Sequence, residues 1–296
     1  MSKLVYYLAY IGFVLIAILP FRLLYILSDC LYFLMYYIIR YRRKVVYANL
    51  KHSFPAKKEA ELKQIEHKFY HYICDYMLES EKMLLLSEKE LYKRMKLNNT
   101  AFYLDMIEKH GGVVVMMPHY GNFEWTIEMG MYMKPKGYLP VQIYKPIKNK
   151  YIDKLVLNIR SRFGGCNVPK HSTVRQAIKL KREGIKYALG LISDQCPNAH
   201  EINYWTTFLN QETDFMDGGE RIAKMMDFPV LYCSIKKEKR GYGEATFELI
   251  TEKPKETEAG EITEMFARRV EQTILQEPAY WWWSHKRWKH KKSDKD

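Results

Sequence analysis

The chain has 296 residues, is 48% hydrophobic and carries 47 basic against 34 acidic side chains, a net charge of +13. That is enough apolar material for one large domain with an appendage, and the charge calls for acidic partners such as anionic headgroups or an acidic carrier. The five cysteines, Cys30, Cys74, Cys166, Cys196 and Cys233, are scattered and never spaced as CxxC, which excludes a disulfide framework or zinc ribbon, and no organised nucleic-acid motif appears.

Leu4 to Phe21 is free of charge and just long enough to cross a bilayer. A second apolar stretch, Leu31 to Ile39, ends in the basic cluster Arg40-Tyr41-Arg42-Arg43-Lys44, suited to the cytoplasmic side and to anionic headgroups. Residues 1–44 therefore read as one membrane anchor followed by an interfacial helix, with a buried hydrophobic hairpin as the competing reading. Residues 45–296 read as a single catalytic domain. Glu59 to Leu86 is helical in pattern.

Gly112 to Met117 is a continuous apolar run, as expected of a parallel strand covered on both faces. Further strand patterns lie at Tyr138–Tyr144, Tyr187–Ile192 and Val230–Ile235, with Ala245–Ile250 as a possible antiparallel member. Helical patterns fall between them at Lys150–Arg162, Thr173–Arg182 and Gly219–Met226. Alternation of this kind predicts an α/β fold with a mixed, mostly parallel central sheet flanked by helices.

The first strand runs into Pro118-His119-Tyr120-Gly121-Asn122-Phe123-Glu124. Asn122 is placed to cap a helix beginning at Phe123. On one continuous helix His119 and Glu124 would point about 140° apart. A strand-turn-helix corner at Gly121 can instead fold the carboxylate back onto the imidazole, giving a general base and its partner. The competing reading is a histidine satisfied by backbone and a glutamate favoured by the helix dipole. Asp194 follows its own strand as His119 does, so both fall on the sheet edge where α/β sites gather. No Gly-x-Ser-x-Gly elbow occurs, so direct attack by an acceptor hydroxyl is simpler than a serine acyl-enzyme, and backbone N–H groups around Tyr120 to Asn122 are candidate oxyanion donors. Cys166 reads as an ordinary thiol, and no metal site is expected.

Taken in order, these residues resemble the bacterial lipid A biosynthesis acyltransferases, a family related to the glycerolipid acyltransferases. The resemblance runs nearly end to end: Arg43-Lys44-Val45-Val46 with Asn49-Leu50 and Phe54-Pro55, the His119 to Glu124 block, Tyr144-Lys145-Pro146, Arg160-Ser161-Arg162-Phe163-Gly164, Asp194-Gln195, and Pro278-Ala279-Tyr280 through Trp288-Lys289. It implies transfer of a fatty acyl chain from acyl carrier protein, or sometimes coenzyme A, to a hydroxyl of a lipid A precursor at the bacterial inner membrane, with the site facing the cytoplasm. It needs no cofactor. His119 carries over as general base and Glu124 as its partner; Asn122, Tyr144, Lys145, Asp194 and one of Arg160 and Arg162 carry over to the substrate site. Lys145 stands where many relatives have arginine, exchanging a bidentate fork for a point charge. Another acceptor lipid, or a non-catalytic basic membrane-surface protein, is the alternative. The Trp- and Lys-rich tail from Trp281 to Lys292 suits a membrane interface or an acidic carrier.

Overall fold

The computed structural model describes residues 3–292, so the outermost residues of both expected domains, 1–2 and 293–296, lie outside the description. Among the described residues nine strands are formed: β1 (Met95–Asn98), β2 (Gly112–Met117), β3 (Leu139–Tyr144), β4 (Cys166–Pro169), β5 (Tyr187–Ile192), β6 (Tyr204–Phe208), β7 (Gln211–Phe215), β8 (Val230–Lys239) and β9 (Tyr242–Thr251). Seven of them build the central sheet in the order β1-β9-β8-β2-β5-β3-β4, while β6 and β7 form a separate antiparallel hairpin. From β8 to β4 all pairings are parallel, and β9 runs antiparallel to β8 with β1 parallel to β9. The mixed, mostly parallel sheet is thus as the apolar runs predict. All six residues of β2 are buried, which is why that run lacks polar alternation.

The helices are α1 (Lys3–Ile18), α2 (Phe21–Phe33), α3 (Arg43–Ser53), α4 (Glu59–Lys82), α5 (Glu88–Arg94), α6 (Thr100–His110), α7 (Met129–Met133), α8 (Lys150–Ser161), α9 (Thr173–Arg182), α10 (Gly218–Met226) and α11 (Glu261–Gln276). The start of α8 is fixed by Asn149, whose Oδ1 accepts the N–H groups of Tyr151 and Ile152 at 3.1 and 3.4 Å.

Two expectations for the N-terminus change. Pro20, with φ −56° and ψ 147°, breaks the charge-free run, since its ring cannot continue a helix. Among the described residues, the helical stretch long and apolar enough to cross a membrane is Phe21–Ile38, in which a π-helical turn, Leu34–Ile38, prolongs α2. The suited stretch therefore begins where the expected anchor ends.

Candidate active site

His119 lies two residues beyond the end of β2 and Asp194 two beyond the end of β5, and these strands are in parallel register with Met117 opposite Ile192. Equal offsets from paired strand ends bring the two side chains together. His119 Nδ1 lies 2.6 Å from Asp194 Oδ1, and the His119 backbone N–H donates to Asp194 Oδ2 at 2.9 Å. The indole of Trp281 donates to the same oxygen at 2.7 Å. Asp194 is 1% exposed. Burial works against its ionisation, but His119 and the Trp281 and backbone hydrogen bonds outweigh it and hold the carboxyl below its ordinary range. An ionised Asp194 requires the proton of a neutral imidazole on Nδ1, which puts the lone pair on Nε2.

Glu124 makes a different pair. Arg160 Nε donates to Glu124 Oε2 at 2.9 Å and Arg160 Nη2 to Oε1, a bidentate fork. The corner forms as Gly121 was expected to allow, with φ +55° and Ile235 Cγ2 2.9 Å from where a Cβ would stand. It does not deliver Glu124 to Nδ1 of His119. Asp194 holds that nitrogen, and the glutamate side chain is drawn to the guanidinium of α8 instead.

His119, Glu124 and Arg160 share the wall of a cavity of about 1110 Å³ at the carboxyl end of the sheet, above the ~300–1,000 Å³ common for small-molecule pockets. Part of its lining is apolar, including Val115, Met117, Ile127 and Val141, and part is cationic. Tyr144 and Lys145 line it as well. Among the described residues, Lys145, Arg221 and Lys289 reach it without an ion pair, whereas Lys170 is bound to Glu201 at 2.7 Å.

Three of the residues expected at the substrate lie off this wall. Asp194 sits behind His119. Arg162 donates to the Met83 carbonyl, away from the cavity. Asn122 caps nothing: its amide donates to Glu79 Oε2 at 2.7 Å, and Phe123–Glu128 begins as a 3₁₀ turn. A buried carboxylate needs partners, so Glu79 takes the Asn122 N–H donor, and this orientation leaves Oδ1, the atom that would cap, buried without a partner. The N–H groups of Tyr120 and Gly121, candidate oxyanion donors, are bound to the Pro118 and Tyr280 carbonyls at 2.9 and 3.0 Å.

The family model for bacterial lipid A biosynthesis acyltransferases matches residues 1–290. The chain belongs to that family. It is also similar to a lipid A biosynthesis acyltransferase of Haemophilus influenzae, 24% identical over 172 residues, which are 57% of this chain and 52% of the relative. The match thus spans about half the length of that curated relative.

Within this family member the C-terminal segment completes the site rather than leaving it. Tyr120 pairs with Trp281 across a β-bridge, and Trp282 packs edge-on to His119 with ring centroids 5.8 Å apart. Arg287 and Asp214 form a buried ion pair at 2.9 Å, and the Trp288 indole donates to Thr213 Oγ1 at 2.7 Å. The tail expected at a membrane or carrier surface is therefore interior through Trp283 and Arg287, because its indole and guanidinium donors have buried acceptors. His285 lines the cavity, and burial, then the charge of Arg287, brings its imidazole down to about 4, so it is neutral at physiological pH. Reading by motif did not single out Trp281 or His285 for roles at the site. Their signal was the density of donors in Trp281-Trp282-Trp283-Ser284-His285.

Proposed function

We propose that this chain moves a fatty acyl group from a carrier thioester to a hydroxyl of a lipid A precursor. The observation that carries this reading is the 2.6 Å contact of His119 Nδ1 with buried Asp194, which leaves Nε2 as the proton acceptor of an imidazole on the cavity wall. Nε2 removes the acceptor hydroxyl proton as the oxygen attacks the thioester carbonyl. The tetrahedral intermediate collapses, the C–S bond breaks, and the imidazolium returns the proton to the departing thiolate. Asp194 holds the tautomer and stabilises the imidazolium. Arg160, held in the cavity by Glu124, supplies positive charge to the developing oxyanion. Lys145, Arg221 and Lys289 take phosphate groups of the substrates.

Residues 1–44 attach the protein to the cytoplasmic face of the inner membrane, and residues 45–296 carry the reaction. The exposed apolar residues of α1 and α2 support attachment, and the +13 charge suits both anionic lipid and acyl carrier protein.

Asp194→Asn is expected to lower kcat by about 10³–10⁴-fold with the fold retained, as loss of the correct histidine tautomer does elsewhere. Glu124→Gln should lower kcat less, by at most about 10²–10³-fold, because it only loosens the hold on the Arg160 charge that meets the oxyanion. A Glu124→Gln enzyme that lost as much kcat as Asp194→Asn with KM unchanged would return the partner role to Glu124. Lipid mass spectrometry with and without the gene reads the acceptor: lipid A lacking one acyl chain is expected, and unchanged lipid A would sink that acceptor. Donor affinity should weaken as salt shortens the Debye length from about 10 to about 3 Å; salt-independent affinity would remove the acidic carrier as donor.

A further inference from the structure

The helices at the N-terminus turn apolar faces outward. Along α2 and its π turn, the side facing the body buries Leu24 and Met35 and is tied down by a ladder of polar contacts. Tyr25 donates to Glu79 Oε1 at 2.9 Å and Ser28 to Asp75 Oδ1 at 2.7 Å, while the Tyr32 and Tyr36 hydroxyls meet His67 at 2.7 and 3.1 Å. All of these partners lie on α4. The opposite side exposes Leu23, Ile26, Phe33, Leu34, Tyr37 and Ile38. On α1, Tyr7, Ile11, Leu15 and Ile18 likewise face outward at helical spacing. A helix in water buries its apolar stripe, so these two are built for an apolar medium outside the protein.

By length and composition Phe21–Ile38 could cross a bilayer, but its packing speaks against it. Asp29, near the middle of that stretch, is half exposed and ion-paired with Arg240 at 2.7 Å. Crossing would carry both charges to mid-membrane, facing lipid. The polar rungs from Tyr25 to Tyr36 cover about 16 Å of helix axis, so α4 would be submerged beside them. Yet α4 is fixed to the catalytic corner, for Tyr72 donates to the Gly121 carbonyl at 2.9 Å and Glu79 accepts from Asn122. Gly241, at φ +75°, lies so close under α2 that a Cβ there would stand 1.9 Å from the Tyr25 hydroxyl. Both ends of α1 are held too. Tyr6 stacks on Tyr151 of α8 with centroids 5.0 Å apart, and Lys82 Nζ donates to the Ala17 and Leu19 carbonyls at 2.6 Å each.

We propose that neither helix crosses the bilayer: α1 and α2 lie flat, their apolar faces sunk into one anionic leaflet while their inward side stays clamped to α4. This rests on the membrane attachment proposed above and specifies its geometry. Exposed Arg22, Arg40 and Lys44 flank the sunken face and meet the headgroups. Ile147 on the cavity wall and Tyr151 beneath Tyr6 are both exposed, so the cavity edge adjoins α1 and an acceptor lipid reaches it from the same leaflet.

The test places Arg22→Cys or Arg40→Cys in the full-length Cys30→Ser chain and labels each, above that parent, with an impermeant maleimide in right-side-out and inverted bacterial membrane vesicles. Both positions are expected to label from the cytoplasmic side alone; labelling from opposite sides overturns the proposal. In parallel, the triple variant Ile26→Ser, Phe33→Ser, Leu34→Ser should lose at least about tenfold in partition onto phosphatidylglycerol vesicles with its thermal unfolding unchanged. Unchanged partition, or a dimer in lipid-free solution that hides this face, overturns it as well. Acyl transfer by the same variants in detergent reads the reaction separately, so failure of the flat geometry leaves the acyltransferase reading intact and the reverse holds too.

Discussion

The two ends of this chain share a composition, aromatic and basic, and use it in opposite ways. At the N-terminus α1 and α2 turn a broad apolar face outward, while the Tyr25 and Ser28 hydroxyls bind α4 on the inward side. At the C-terminus Trp281, Trp283 and Arg287 are interior; the two indoles donate to Asp194 and the Pro278 carbonyl and the Arg287 Nη groups to Asp214, with Arg287 Nε alone of these donors left unpartnered. A tryptophan-rich basic segment is thus no signature of a membrane face. What separates the cases is whether the protein supplies buried acceptors for the donors, which composition does not contain.

The largest effect should come from the buried end. Arg287→Ala leaves the Asp214 carboxyl group, at 1% side-chain exposure, without its ion-pair partner, and breaking such a buried pair typically costs about 3–5 kcal/mol. A fall of that size in urea-unfolding free energy is expected, with m unchanged. A variant as stable as the parent would show that the C-terminal segment is a loosely held surface after all.

Trp281→Phe removes the indole N–H that donates to Asp194 together with the five-membered ring, and the lost hydrogen bond to a charged group contributes about 1.5–3 kcal/mol of the expected cost. The sign with pH follows from the depressed folded pKa of Asp194. The carboxylate contributes stability at pH above its unfolded value near 3.8, and that contribution is lost as pH falls through the lower folded value. Without the indole the folded pKa rises toward 3.8, so the contribution shrinks and its loss is complete at a higher pH. Acid unfolding monitored by near-ultraviolet circular dichroism should shift upward in pH; an unmoved acid limb would detach Trp281 from the site.

Much of the sheet was legible because β2, β3, β5 and the first half of β8 are largely apolar runs of the kind burial makes, while β9 showed an alternation that buries Ala245 and Phe247. The strands that pattern reading passed over are short or polar: β1 and β4 have four residues each, and the hairpin strands β6 and β7 five each, β7 reading Gln-Glu-Thr-Asp-Phe. Their pairing is supplied by neighbours rather than by their own pattern. At the site, the edge holding His119 and Asp194 could be located, since each follows a strand. Their hydrogen bond depends on β2 and β5 being adjacent and in register, a tertiary fact. Spacing within His119 to Glu124 likewise showed that a corner could form, but Arg160, 36 residues on, decides where the glutamate points.

The smallest effects should fall at the outward end, and there the usual ranking of substitutions inverts. Ser28 is buried and donates to Asp75, so Ser28→Ala removes one oxygen and should cost about 1 kcal/mol. Phe33, in the last position of the same helix, is more than half exposed, so Phe33→Ser removes a whole ring and should stay within about 0.5 kcal/mol of the parent. In a core facing water the ring would matter far more than the hydroxyl. Thermal unfolding of both variants in a non-ionic detergent measures the ranking directly. A Phe33→Ser protein less stable than Ser28→Ala would mean that the outward face of α2 is covered by protein, and the contrast between the two ends of the chain would fail.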